Sequence, residues 1–327
     1  MSHELTLNEA GQIEFAFNAA HGQAWHGLGQ AIEPDQVHDV DHWKQQAGMN
    51  WRIQRSRIRY ASEQGDVHTW DDNHVLFRSD SKQPLGLVSS SYKVVQPTQV
   101  VEFFRDLVEA GGMTLSAMGT LQGGRRFWAT AQIAEEAPLS VRDRIGAYVL
   151  LSTSADGSLA TEARLTTIRV VCANTLAMAR QDGKAAFRLS HRSTFDPARV
   201  KSEMGLNLTA WQAFKRDMTR LANKPLFSDQ VEDLTAQILA GSDVEEAKSK
   251  IRESNRAYQR ILDLFNGQGK GSRLDGVYGT AWGLVNAFTE FADHHAQSRT
   301  DENRFISAQW GPNADLKTAA FQTLLAV

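Results

Sequence analysis

The residues best suited to chemistry in this sequence are cations set beside aromatics. Arg125-Arg126-Phe127-Trp128 opens a segment running to Ile133, in which Phe127, Ala129, Ala131 and Ile133 alternate with Arg126, Trp128, Thr130 and Gln132. A strand sends successive side chains to opposite faces, so Arg126 and Trp128 share one face while Phe127 takes the buried one. Outward arginine beside outward tryptophan suits single-stranded nucleic acid. Cations follow the phosphates and an aromatic face stacks on a base, at about 1–3 kcal/mol per base. Lys93, Arg164 and Arg169 extend the cationic set. Arg52, Arg55, Arg57 and Arg59 form a second row, whose odd-numbered members share a face at steps of roughly 6.6 Å, close to the phosphate repeat of an extended strand. The expected interface is therefore Lys93, Arg125, Arg126, Trp128, Arg164, Arg169, Arg55 and Arg57, with arginines on phosphate and Trp128 on a base. The competing account packs Trp128 in a core, pairs the arginines with acids, and uses the second row to guard an edge strand against aggregation.

Other constellations point to simpler roles. Lys270 lies in Gly267-Gln268-Gly269-Lys270-Gly271-Ser272. A phosphate loop needs a hydroxyl residue directly after the lysine and a strand before the loop, and this segment has neither, so it is expected to be a connector. Asp293-His294-His295 offers metal-ligand types, but helical neighbours point about 100° apart and do not chelate from one face. His21, His26, His68 and His74 lack a partner at metal-binding spacing. Asp71 and Asp72 are read as turn residues. No nucleophile elbow, zinc-protease or dinucleotide pattern occurs, so no catalytic residue, metal or cofactor is expected.

Composition agrees with an ordinary folded protein of 327 residues, 42% hydrophobic and 22% charged. Cys172 is the only cysteine, which rules out an internal disulfide and fits a reducing compartment. It sits in an apolar run and is read as buried and inert. No leader or membrane-spanning run is apparent, so a soluble, cytoplasmic protein with no membrane contact is expected. The net charge of −3 hides an asymmetry. Residues 1–50 hold seven acids against Lys44, and residues 163–201 hold eight bases against Asp182 and Asp196. Opposed segments of this kind suggest a polyanion site, or subunits that pair head to tail in a homo-oligomer.

Several elements must position these residues. Strands are predicted over Trp51–Ala61, in a pair His68–Trp70 and His74–Arg78 turning at Asp71-Asp72-Asn73, and over Leu85–Tyr92. A helix from Pro97 carries the stripe Val100, Val101, Phe103, Phe104, Leu107 and Val108, and ends at Gly111-Gly112. Met113–Leu121 and Arg125–Ile133 form a hairpin through Gln122-Gly123-Gly124. Ala147–Ser154 and Leu159–Val170 form another, turning at Asp156-Gly157, and a helix of about ten residues is predicted to follow from Cys172. From Ser202 the period is helical. Met204, Leu208, Trp211, Phe214, Met218 and Leu221 make one stripe, stopped before Pro225. Ser242 and Glu245 form a capping box that opens a long helix through Ile251, Tyr258, Ile261, Leu262 and Phe265. Trp282, Val285, Phe288 and Phe291 mark another helix, and Leu316, Ala320, Phe321 and Leu324 a last short one. The fold class is α+β: an antiparallel sheet with packed helices over residues 1–200, then a helical region over 201–327 packed on it.

A set of phrases resembles the family known as phage/plasmid-like protein, a domain of unknown function. They are Trp25-His26-Gly27-Leu28-Gly29, Tyr92-Lys93-Val94-Val95-Gln96, Gly124-Arg125-Arg126-Phe127-Trp128, Ile168–Leu176, Thr280-Ala281-Trp282-Gly283 and Asn286-Ala287-Phe288-Thr289. They occur in the family's order along most of the chain. The resemblance implies a gene of mobile elements that replicate and recombine DNA. The helix–hairpin–hairpin–helix middle is also similar to ring-forming single-strand annealing proteins, in which a curved sheet holds the DNA backbone. The function expected is a non-enzymatic, oligomeric DNA-binding protein of a mobile element, with single-stranded DNA as partner. The alternatives are an enzyme of nucleic-acid metabolism or defence evasion, and an adaptor that binds a host protein through the acidic N-terminal segment.

Overall fold

A computed structural model of the chain describes residues 7, 11–21, 29–109, 113–140, 143–169, 174–177, 186–196 and 209–327. The readings made for Trp25–Leu28, Gly111-Gly112, Cys172, Met204 and Leu208 lie outside the described residues. The fold is mixed α+β. The chain divides into two compact units: residues 1–133, 148–165 and 184–206 form one, and residues 134–147, 166–183 and 207–327 the other.

In the first unit, β1 (Phe15–Asn18) and β2 (Gln30–Ile32) pair in parallel, and α1 (Val40–Gln46) buries Val40 and Trp43. β3 (Ile53–Ala61), β4 (Val67–Arg78) and β5 (Pro84–Ser89) form a three-stranded antiparallel sheet. α2 (Pro97–Glu109) follows, with Val100, Val101, Phe103 and Phe104 fully buried as the stripe predicts. The larger sheet adds β6 (Thr114–Leu121), β7 (Arg126–Ser140), β8 (Asp143–Ser154) and β9 (Thr161–Arg169), followed by β10 (Asn174–Ala177) and β11 (Ala186–Leu189); residues 134–140 of β7, 143–147 of β8, 166–169 of β9 and all of β10 belong to the second unit. Its order is β10-β9-β8-β7-β6-β1-β2, with β11 also on β9.

Two predicted elements differ. Asp71-Asp72-Asn73 is not a turn, because β4 is continuous from Val67 to Arg78. Its register on β3 jumps from Ile58↔Trp70 to Arg57↔His74, so these three residues are a bulge within one long strand. Asn174–Ala177 is not helical either; it pairs with Thr166–Arg169 of β9. Its apolar residues are too few to distinguish the two periods.

A buried ionic network organises the first unit. Arg78 is 3% exposed and Glu14 1%. The Arg78 guanidinium donates to both Glu14 oxygens (3.0 and 2.6 Å) and to both Asp80 oxygens (3.0 and 2.7 Å). It also reaches the Gly123 carbonyl at 3.3 Å and lies 4.3 Å over the Trp51 ring. The Thr120 hydroxyl donates to Glu14. Gly124 has φ +90°, and a Cβ there would stand 2.7 Å from Trp51, so the β6–β7 turn needs glycine to close on this network. Burial alone lowers the Arg78 pKa, but the hydrogen bonds it donates to Asp80 and Glu14 more than reverse this and raise it. The same Arg78 bond holds Asp80 below its ordinary 3.8.

The second unit contains α3 (Thr209–Ala222), α4 (Ser228–Ala240), α5 (Glu245–Ser254), α6 (Arg256–Asp263), α7 (Ala281–Glu290), α8 (Asp301–Trp310) and α9 (Pro312–Ala326). All ten residues of α7 are buried. Phe214 of α3 stacks on Phe321 of α9 at 5.6 Å and meets Trp282 of α7 edge-on at 6.2 Å. The long helix predicted from Glu245 to Phe265 is broken. Asn255 is extended, and its side chain accepts from the Ala257 N–H, so it ends α5 and caps α6. No capping box forms at Ser242, whose hydroxyl accepts from Val244 instead. Among the described residues no helix is long and apolar enough to cross a membrane.

Breaking a buried ion pair strands a charge, at a cost of about 3–5 kcal/mol. Arg78→Met is expected to lower the urea midpoint accordingly. The Asp80 contribution to stability is fully present above its ordinary pKa and is lost as pH falls through the depressed one. Asp80→Asn should therefore remove part of the acid sensitivity seen in pH-dependent unfolding.

Candidate nucleic-acid interface

Two of the cations expected to bind phosphate, distant in sequence, meet in one recess of about 290 Å³. Arg55 comes from β3 and Lys93 from the segment between β5 and α2. Ser90, Tyr92, Gln99 and Thr194 contribute polar or aromatic walls, and among the described residues no carboxylate lines the recess. The Arg55 guanidinium donates to the Tyr92 carbonyl at 2.7 Å and the Ser90 carbonyl at 3.4 Å. These acceptors are neutral. They fix the side chain and leave its charge uncompensated. Lys93 is exposed, and its backbone N–H is anchored to the His191 carbonyl at 2.6 Å.

Tyr92 and His191 hold this segment in place. Their rings stack at 4.6 Å and 17°. His191 Nε2 lies 2.9 Å from the Leu159 carbonyl and Nδ1 3.4 Å from the Lys93 carbonyl, so the ring bridges two backbone acceptors. The Tyr92 hydroxyl donates to the Ser154 carbonyl at 3.0 Å. Burial, reinforced by the Asp156 charge, pushes the Tyr92 phenol well above its ordinary pKa. The residue is therefore a neutral strut.

The β8–β9 turn connects this recess to the second expected group. Gly157 at its tip lies against the Tyr92 ring. The Arg125 carbonyl accepts from Ala155 N–H at 2.7 Å, and Arg126 donates to the Ser158 hydroxyl through Nε (3.2 Å) and Nη2 (3.1 Å). Arg125 is exposed and Arg126 half-buried. The turn thus touches Tyr92, the neighbour of Lys93, on one side and the Arg125 backbone and Arg126 side chain on the other. Asp156 is the acid of that turn, and its carboxylate caps the Ser158 N–H at 2.9 Å.

The other expected residues do not join this group. Trp128 is 8% exposed and packs 5.9 Å from Phe15. The alternation holds, since Phe127 turns the other way to meet Trp51 edge-on at 6.1 Å. But β7 runs between β6 and β8, and both of its faces are covered here. Ile133 is half-buried, near the end of that covered stretch. Trp128, expected to stack on a base, is instead enclosed on a central strand and offers no face to one. Arg164, expected on phosphate, is engaged inside the protein instead. It is buried and lies 3.2 Å from Glu162, which also accepts from Arg188 at 2.6 Å. Arg57 comes within 3.9 Å of Asp71, both side chains being largely exposed, so the pair is weak and the cation stays accessible. The Arg169 backbone pairs with Asn174, and its side chain lies outside the described residues.

The features read as non-catalytic have definite roles. The Lys270 N–H donates to both oxygens of buried Glu290 (3.2 and 2.9 Å), so the glycine-rich loop is seated on the protein's own carboxylate. Asp293 pairs with buried Lys317 at 2.7 Å, and His295 lies 3.7 Å from Glu290. Among the described residues no group of three or more His, Cys, Asp or Glu is placed to hold a metal. Sequence reasoning missed the strut Tyr92–His191 and the exposed aromatics Tyr60 and Trp70, which carry no motif of their own.

Residues 84–310 match the family described as a domain of unknown function (DUF932). No curated protein and no solved structure matches the chain. The burial of Trp128 has a measurable consequence. Trp128→Ala should behave as a core truncation, costing about 3–5 kcal/mol in thermal or urea unfolding rather than acting on ligand affinity alone.

Proposed function

The chain belongs to the DUF932 domain family, and from that premise we propose that it is a non-enzymatic single-stranded DNA-binding protein of a mobile genetic element, a phage or plasmid, acting in strand annealing or recombination. One observation carries this reading. Arg55 and Lys93 line a single recess without a carboxylate, and the Arg55 partners are carbonyls that leave its charge available to phosphate. Arg125 and Arg126 extend the positive surface across the Ala155–Ser158 turn, and Arg57 adds an exposed cation on β3. Phosphate contacts position a strand without reading its sequence, so binding is expected to be sequence-tolerant.

The proposal includes assembly into a homo-oligomer, with a ring as the closed form. The opposed charge segments motivate it, although fewer of their charges are free to pair than the sequence suggests. Glu162, just outside the basic segment, engages Arg164 and Arg188, while Glu14 and Asp41 of the acidic segment engage Arg78 and Arg105. A strict monomer by size-exclusion chromatography, with and without DNA, would remove the assembly part.

Binding is tested by fluorescence anisotropy on poly-dT over a salt series. Arg55→Ala and Lys93→Ala are each expected to weaken binding to all sequences alike. Each should also reduce the slope of log affinity against log salt by about 0.7 for every phosphate no longer neutralised. No detectable binding by the wild type at low salt sinks the reading.

A further inference from the structure

With Trp128 enclosed, the recess offers cations, while its two aromatics are committed to the protein: Tyr92 stacks on His191 and Phe195 is buried. The three-stranded sheet carries the missing chemistry. On β3 and β4, Tyr60 is the register partner of His68, and Ile58 of Trp70. Directly opposed residues share a face, and the Tyr60 and His68 rings stand 5.4 Å apart at 30°. Tyr60 is 56% exposed and Trp70 48%, whereas Trp43, Trp51, Trp128, Trp211 and Trp282 are all buried. A single exposed apolar residue is ordinary. A tryptophan and a tyrosine on diagonal positions of one rigid face, about 7–8 Å apart, form a platform of the kind on which successive bases stack.

We infer that Trp70 and Tyr60, with His68 beside the tyrosine, form a base-stacking platform for single-stranded nucleic acid. This deepens the reading above and rests on it. The surrounding charges assign the platform a stacking role rather than an ionic one. Arg59 flanks Tyr60, and Asp71 beside Trp70 is turned toward Arg57 at 3.9 Å. Glu63, Asp66 and Asp72 are also exposed on this hairpin and disfavour phosphate. Affinity for the backbone therefore comes from the recess, and the hairpin contributes aromatic faces. Arg55 and Arg57 are odd-numbered on β3, while Ile58 and Tyr60 are even-numbered and face the other way. β3 is an edge of its sheet, so a polynucleotide reaches both sets by crossing that edge.

The experiment uses the full chain and a poly-dT oligonucleotide of about 20 nucleotides, in a length range that single-strand binding folds span. Trp70→Ala is expected to weaken binding by roughly 5- to 150-fold with the salt slope unchanged, because stacking releases no counterions, and Trp70→Phe should restore most of the affinity. DNA should quench the intrinsic fluorescence of the wild type, and the Trp70→Phe variant should lose that quenching. As Trp70 is exposed, the thermal midpoint of both variants should stay close to the wild type. Unchanged affinity in Trp70→Ala and Tyr60→Ala, with weakened binding in Arg55→Ala and Lys93→Ala, overturns the platform and leaves the recess reading intact. Dissociation of an oligomer by Trp70→Ala with no change in affinity also overturns it, identifying the face as an interface between copies of the chain. Absence of binding by the wild type removes both.

Discussion

Arg78 is the residue on which the first unit depends. Its guanidinium is buried between two carboxylates, a carbonyl and an indole ring, and each partner comes from a different segment of the chain. Glu14 precedes β1, Asp80 follows β4, Gly123 lies in the β6–β7 turn and Trp51 stands before β3. A charge taken out of water must find its full complement of acceptors, or the desolvation cost is not recovered. That requirement ties two sheets to one point. It also explains why the β6–β7 turn is built of glycine and why Thr120 is directed at Glu14 rather than at solvent.

The arginines of this protein fall into two populations, according to what accepts their hydrogen bonds. Among the described residues Arg78 meets two carboxylates, and Arg164 and Arg188 share the one carboxylate of Glu162, which offsets part of their charge where it stands. Arg55 meets carbonyls and Arg126 a hydroxyl. A neutral acceptor restrains the guanidinium less strongly than an acid does, yet leaves its field intact. This difference turns a basic composition into a basic site. The Tyr92–His191 stack matters for the same reason. It fixes the backbone that carries Lys93 without using a carboxylate, so the recess gains order without gaining an opposing charge.

The second unit places its charges differently. α7 is buried along its whole length, and the charged residues at and beyond its end are met by partners in place. Glu290 is held by the Lys270 N–H of the glycine-rich loop, and Asp293 by Lys317. Backbone donors that could cradle a phosphate are thereby directed to an internal carboxylate. The two π-helical turns, Leu264–Gln268 and Phe291–His295, follow α6 and α7 and bring the loop and Glu290 together.

The α+β class, the α2 stripe, the β6–β7 hairpin with its glycine turn, the β8–β9 hairpin and the apolar stripe of α3 were determined by the sequence alone, because period and turn chemistry are local properties. Alternation in β7 also separated Phe127 from Trp128 correctly. What alternation does not contain is whether the second face of a strand is covered. That depends on which strands flank it, and Phe15 closes over Trp128 from β1, more than a hundred residues earlier. The broken helix at Asn255 and the bulge at Asp71–Asn73 were decided the same way, since a capping side chain or a register jump acts only once its partner is in place. Charge counting failed at its boundary: the basic window began one residue after Glu162, the acid that engages two of its arginines. Residue type supplied the candidates Arg55 and Lys93. Only tertiary structure decided that they share a recess while Arg164 is engaged by Glu162, because neutralisation requires approach to within a few ångströms, a distance set by packing rather than by order along the chain.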